Sequence, residues 1–83
     1  MNEDVKRVLK DFILERFLYK KAGDELDEDF DLLGTGVLDS LGAFTLVFFI
    51  EESFGIEVPP QDVTIEDFAT VATIAAYIAR RRG

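Results

Sequence analysis

The 83-residue sequence contains no cysteine and no histidine. It therefore has no disulfide, no zinc site of the usual ligand types, no thiolate nucleophile and no imidazole for a serine–histidine–aspartate relay. No apolar run approaches the ~18 residues of a membrane span, so membrane insertion is not expected. Basic charge is missing from the middle of the chain. All nine Lys and Arg fall at residues 6–21 and 80–82, and residues 22–79 hold none against 13 of the 17 acids. An uncompensated anionic surface repels phosphate backbones and anionic lipid, which argues against nucleic-acid binding, and it draws basic partners at a salt-dependent rate. The same acids would also keep a small apolar domain soluble. Met1-Asn2-Glu3-Asp4 opens on acids rather than on a basic and then apolar leader, so the expected location is the cytoplasm.

Apolar residues are plentiful: 48% of the chain is hydrophobic, including eight Phe. That suffices for one core in a single domain spanning 1–83, expected to be a monomer. It does not suffice for a cavity enclosed between two layers, so an autonomous enzyme is disfavoured.

Val5, Val8, Leu9, Phe12 and Ile13 recur at helical spacing, which predicts a first amphipathic helix. Asn2 is placed to cap it, with Glu3 and Asp4 in the first turn, and the helix has ended by about residue 20. Residues 23–39 form a connection long enough to need anchors of its own, for which Leu26, Phe30, Leu32, Leu33, Val37 and Leu38 are the candidates. A second helix is expected from Ser40 to Phe54, capped by Asp39 and stopped by Gly55. Ile56 to Pro60 reads as extended connection. Thr64 and Asp67 resemble a capping box for a short helix from Ile65 to about Ala69. Thr70 caps a last helix with Val71, Ile74, Ala75 and Ile78 on its apolar face and Arg80, Arg81 and Arg82 at its C-terminal end. The fold class is all-α: a small four-helix bundle of three main helices and one short one, with a long loop between helices one and two.

The second helix carries more than a core stripe. At ~100° per residue from Ser40, Ala43, Leu46, Val47, Ile50 and Phe54 share one side. Phe44 and Phe48 fall with Leu41 on the side of Ser40, and Glu51 and Glu52 extend that face with charge. Two readings stand at this point: a docking ridge that starts at a serine, or Phe side chains buried under the long loop. Phe49 lies between the two faces.

The run Leu32-Leu33-Gly34-Thr35-Gly36-Val37-Leu38-Asp39-Ser40-Leu41 resembles the phosphopantetheine attachment motif of the acyl and peptidyl carrier protein family. It stands at a predicted helix start about halfway along a domain of carrier size. Glu51-Glu52-Ser53-Phe54-Gly55-Ile56-Glu57-Val58-Pro59 and Phe68-Ala69-Thr70-Val71 resemble later parts of the same family. The resemblance implies that a phosphopantetheinyl transferase places 4'-phosphopantetheine from coenzyme A on Ser40. A loading ligase would then charge the thiol with an acyl, aminoacyl or aryl group, and a downstream transferase or synthase would take it. It further implies that Asp39 positions the transferase and that Leu41, Phe44, Phe48, Glu51 and Glu52 meet partners. Many fatty-acid-synthesis carriers have acids at the second and fifth positions after the serine; Gly42 and Thr45 stand there. The chain thus looks closer to free-standing aminoacyl, aryl or D-alanyl carriers.

Other motifs fall away. Asp27, Asp29 and Asp31 match the start of a calcium loop, but Leu32 and Leu38 stand where Gly and Glu are required. Gly34 and Gly36 lack the third glycine and preceding strand of a dinucleotide site; they suit a tight turn into helix two. The alternative to a carrier is an unmodified acidic helical adaptor that docks basic partner surfaces.

Overall fold

The computed structural model describes residues 2–21 and 23–82. Its helices are α1 (Asn2–Arg16), α2 (Ser40–Phe54), α3 (Ile65–Phe68) and α4 (Val71–Arg82), so the chain is the expected all-α bundle of three main helices and one short one. The capping role assigned to Asn2 concerns a side chain outside the described ones.

Local chemistry sets each boundary after the first helix. Asp39 is extended, and its carboxylate accepts from the Gly42 N–H to open α2. Gly55, in the left-handed region at φ 66°, closes that helix by donating to the Glu51 carbonyl. The Thr64 hydroxyl accepts from the Asp67 N–H at 3.1 Å, and that of Thr70 from the Thr73 N–H at 3.1 Å. One element escaped the sequence reading: Pro60–Asp62 form a 3₁₀ turn. The ring of Pro60 is pre-set for a first helical position even though it disfavours helix in the residue before it.

The core is built from Val5, Leu9 and Ile13 of α1, Leu46 and Ile50 of α2, Phe68 of α3, and Val71, Ile74, Ala75, Tyr77 and Ile78 of α4. Helix α1 lies along α4, and α3 packs against α4. The long connection behaves as part of this core. Leu32 and Leu38 are buried, and Leu26, Phe30, Leu33 and Val37 pack against the interior. Backbone bonds tie the connection down at three points: Ala72 N–H to the Glu28 carbonyl, Leu32 N–H to that of Ala69, and Leu38 N–H to that of Leu32, each 2.9 Å. Lys6 adds an ion pair to Glu28 at 2.9 Å, and this hydrogen bond raises the Lys6 pKa above its ordinary value.

Phe49, ambiguous on the helical wheel, stacks on Phe12 with centroids 3.9 Å apart. Phe17 meets Phe12 edge-on at 5.9 Å, and its ring edge lies 3.0 Å from where a side-chain carbon on Gly42 would stand. Helix α1 therefore flanks α2 in antiparallel sense on the Gly42–Phe49 side, which leaves the Leu41–Phe44–Phe48 side uncovered by it.

Candidate functional site

The connection delivers Ser40 to the bundle surface along a fixed path. Asp31 Oδ1 accepts from the Gly34 N–H at 2.8 Å, and a side chain on Gly34 would overlap that carboxylate. Gly36 takes φ 80°, a conformation that favours glycine. The turn then drops Leu38 into the core at 2% exposure. Asp39 follows, held by its bond to the Gly42 N–H at 2.7 Å. Ser40, one residue on, is exposed. Two successive residues are thus fixed, one by burial and one by capping, and the hydroxyl after them points outward from the first turn of α2.

Around it, the ridge is open rather than covered by the loop. Leu41 is 79% exposed, Phe44 66% and Phe48 65%. Large apolar side chains in this state, aligned on one helix face, mark an interaction surface. A groove of about 520 Å³ opens beside Ser40, lined by Leu33, Leu38, Ala43, Phe44, Val63 and Phe68 among others, with Ile65 at its edge. Ile65 is 78% exposed, and the sequence reading missed it as a surface residue. A four-residue helix buries little, and Phe68 occupies the inward position of α3. The i,i+3 spacing of Ile65 and Phe68 puts both on one helix face and so gave no signal that Ile65 would stay outside.

The two glutamates of the ridge part company. Glu52 is exposed, whereas Glu51 is half-buried and accepts from the Val58 N–H at 2.9 Å. Glu51 thereby braces the chain that leaves α2, and Glu52 is the freely presented charge.

The acidic run behaves as loop structure. Asp27 Oδ1 accepts from the Asp29 N–H at 2.8 Å and Asp31 caps Gly34, so these carboxylates close turns. Among the described residues no three His, Cys, Asp or Glu side chains gather to hold a metal.

Comparisons with known proteins bear directly on this geometry. A family model for the phosphopantetheine attachment site matches residues 12–78. The D-alanyl carrier protein of Streptococcus suis (strain 98HAH33) is 38% identical over 75 residues, 90% of this chain and 91% of that protein. That of Lactococcus lactis subsp. lactis (strain IL1403) is 38% identical over 56 residues, 68% of this chain and 71% of the relative. Among solved structures, a chain in the crystal structure of an FAD-dependent dehydrogenase is 38% identical with a TM-score of 0.72, covering 83% of this chain and 96% of that chain.

The residues present fit the prosthetic group named by that family: a solvent-facing hydroxyl at a helix N-terminus, where backbone N–H groups and the dipole favour a phosphodiester, beside an apolar groove. The group supplies a terminal thiol that holds cargo as a thioester. With the family model matched over residues 12–78 and a D-alanyl carrier protein 38% identical over 90% of the chain, the chain belongs to the phosphopantetheine-attachment family of carrier proteins, which bear acyl or aminoacyl cargo on covalently bound 4'-phosphopantetheine.

Proposed function

We propose that Ser40 is the attachment residue and that the chain presents its charged arm to a loading ligase and then to a downstream transferase or synthase in the cytoplasm, performing no catalysis itself. The observation that carries this reading is the exposed Ser40 hydroxyl, held at the start of α2 by the Asp39 cap. A phosphopantetheinyl transferase brings coenzyme A. The Ser40 oxygen bonds to the phosphorus that bears pantetheine, the diphosphate bond to the nucleotide breaks, and the hydroxyl proton passes to a base of the transferase. No histidine exists in this chain to take that proton, and the Asp39 carboxylate is engaged with the Gly42 N–H. Leu41, Phe44 and Phe48 form the contact ridge, with Glu52 as its charged end; Asp39 and Glu51 act chiefly by holding the backbone in place.

Incubation with coenzyme A and a broad-specificity transferase, followed by intact-mass measurement, tests the assignment. The wild type gains one phosphopantetheine and Ser40→Ala gains none. Modification that persists in Ser40→Ala refutes it.

For cargo, the likeness to D-alanyl carriers supports D-alanine or another small aminoacyl group. The equal identity to a chain from an FAD-dependent dehydrogenase structure supports a second reading, in which a flavin enzyme takes two electrons from the tethered cargo. Loading assays with D-alanine and other amino acids, and loss of flavin absorbance on mixing loaded carrier with such a dehydrogenase, separate the two.

A further inference from the structure

Ser40 opens α2, and the first turn is where a helix frays most readily. Whatever fixes that turn also fixes where the Ser40 hydroxyl stands. One fixture is the cap: the Asp39 carboxylate accepts from the Gly42 N–H and the Asp39 carbonyl from the Ala43 N–H, both at 2.7 Å. Asp39 is itself exposed, so water can compete for this bond on the acceptor's side. Gly42, the donor, is buried.

Phe17 and Leu38 supply the cover. A side-chain carbon on Gly42 would stand 3.0 Å from Phe17 Cε1 and 3.5 Å from Leu38 Cδ1. The Phe17 ring is itself held. Its N–H donates to the Ile13 carbonyl at 2.9 Å, and Phe12 meets it edge-on. Immediately beyond, Tyr19 takes φ 55° and the chain closes with the Lys20 N–H on the Leu14 carbonyl at 2.9 Å, so the turn that carries Phe17 hangs on the buried Ile13 and Leu14. Phe12 in turn stacks on Phe49. The end of α1 therefore grips α2 at two places, Phe49 and Gly42, about 10 Å apart along the axis. The Phe49 contact holds the body of α2, and the Gly42 contact holds its opening turn.

Building on the assignment of Ser40 as the modified residue, we propose that Phe17 is a positioning residue for that modification: its ring, seated on Gly42, holds the first turn of α2 in the geometry from which the Ser40 hydroxyl reacts. Phe17 acts through Gly42 and the Asp39 cap and touches no reacting atom. Without the ring the Gly42 N–H is opened to water, the cap weakens and the turn frays. The hydroxyl is then spread over several positions, and a displacement of about 1 Å is enough to cost a large part of a positioned reaction's rate. The contact also gives a physical reason for glycine at the second position after Ser40, since a side chain there meets the ring.

The test uses the full chain, coenzyme A and a transferase that adds one phosphopantetheine to the wild type, at a temperature well below the unfolding midpoint of every variant. Phe17→Ala should lower kcat about tenfold and leave KM within about twofold, because the Leu41, Phe44 and Phe48 ridge is unchanged. Phe17→Leu keeps apolar bulk over Gly42 and should recover most of the rate. Gly42→Ala should lower kcat in the wild type but raise it in the Phe17→Ala background, where its carbon enters vacated space and stiffens the turn. Amide hydrogen exchange should quicken at Gly42 in Phe17→Ala and stay as in the wild type at Gly55, at the other end of α2. A Phe17→Ala protein modified with the wild-type kcat overturns the proposal, as does a loss confined to KM or a Gly42→Ala effect equal in both backgrounds. None of these results touches the Ser40 assignment, which stands on the mass gain of the wild type and its loss in Ser40→Ala.

Discussion

Glu51 and Glu52 are adjacent acids at the end of the same helix, and the structure assigns them opposite duties. The Glu51 carboxylate accepts from the Val58 N–H at 2.9 Å, and Val58 belongs to the buried core. Truncation in Glu51→Ala leaves that part-buried N–H without its partner, at a cost of about 1–2 kcal/mol. For a domain of this size each kcal/mol moves the midpoint by about 4–8 °C, so Tm should fall by about 4–16 °C. Glu51→Gln keeps an acceptor oxygen and should recover most of the loss. Glu52→Lys alters an exposed side chain and should stay within about 0.5 kcal/mol of the wild type, yet it reverses the charge at the far end of the docking ridge. Thermal unfolding followed by circular dichroism at matched pH and salt, alongside transferase kcat/KM, separates the effects: stability should respond to residue 51 and salt-sensitive association to residue 52. A Glu51→Ala protein of unchanged Tm whose modification slows as much as that of Glu52→Lys would refute the division.

Three further outcomes are expected. Asp39→Asn keeps an acceptor for the Gly42 N–H and should unfold near the wild-type temperature, whereas Asp39→Ala should lose about 1 kcal/mol; a large Tm loss in the Asn variant would show that capping by the neutral amide fails. Gly42→Ala would gain about 1 kcal/mol from helix propensity alone, but its new carbon meets Phe17 Cε1 at 3.0 Å and Asp39 Oδ1 at 3.2 Å, so Tm should fall; a rise of several degrees would mean that ring and cap yield freely. Burial first, and its hydrogen bond to Asp62 second, push the Tyr77 hydroxyl up to about 12. The folded state thus favours the neutral phenol, and the stability this gives is whole below the ordinary tyrosine value near 10 and drains as pH climbs toward about 12. Tm should therefore fall less steeply over that alkaline interval in Tyr77→Phe than in the wild type, and equal slopes would contradict the assignment.

What could be read from the sequence follows how local the governing physics is. The limits of α2, the capping by Asp39, Thr64 and Thr70, and the left-handed stop at Gly55 are settled by bonds within three or four residues. The anchoring leucines of the connection were legible too, because a long apolar loop must bury its side chains somewhere. Tertiary pairing was not legible. Phe49 sits midway between the two faces of α2, and its position was decided by Phe12 across the interface. Glu51 and Glu52 are alike in sequence, and only the return of the chain at Val58 distinguishes them. The 3₁₀ turn at Pro60 was hidden because a proline bars helix before itself while favouring one that begins with it. Tyr19 gave no signal, since nothing in the periodicity announces a positive φ at a residue other than glycine.

A carrier has to reconcile two demands on one residue. The attachment serine must sit at a fixed point so that each partner finds it, yet its hydroxyl must stay free of intramolecular bonds so that it can be modified. Under the assignment of Ser40 proposed above, neighbouring residues meet these demands in its place. Leu38 fixes the approach by burial, Asp39 fixes the first turn by capping, and Gly42 lets Phe17 close over the flank. None of these contacts uses the Ser40 side chain. The absence of histidine and cysteine fits the same requirement, because a thioester at the end of a mobile arm is open to attack by any nucleophile within reach. The side chains that line the groove beside Ser40, among them Leu33, Ala43, Phe44, Val63 and Ile65, bring no thiol, imidazole or amine to that cargo.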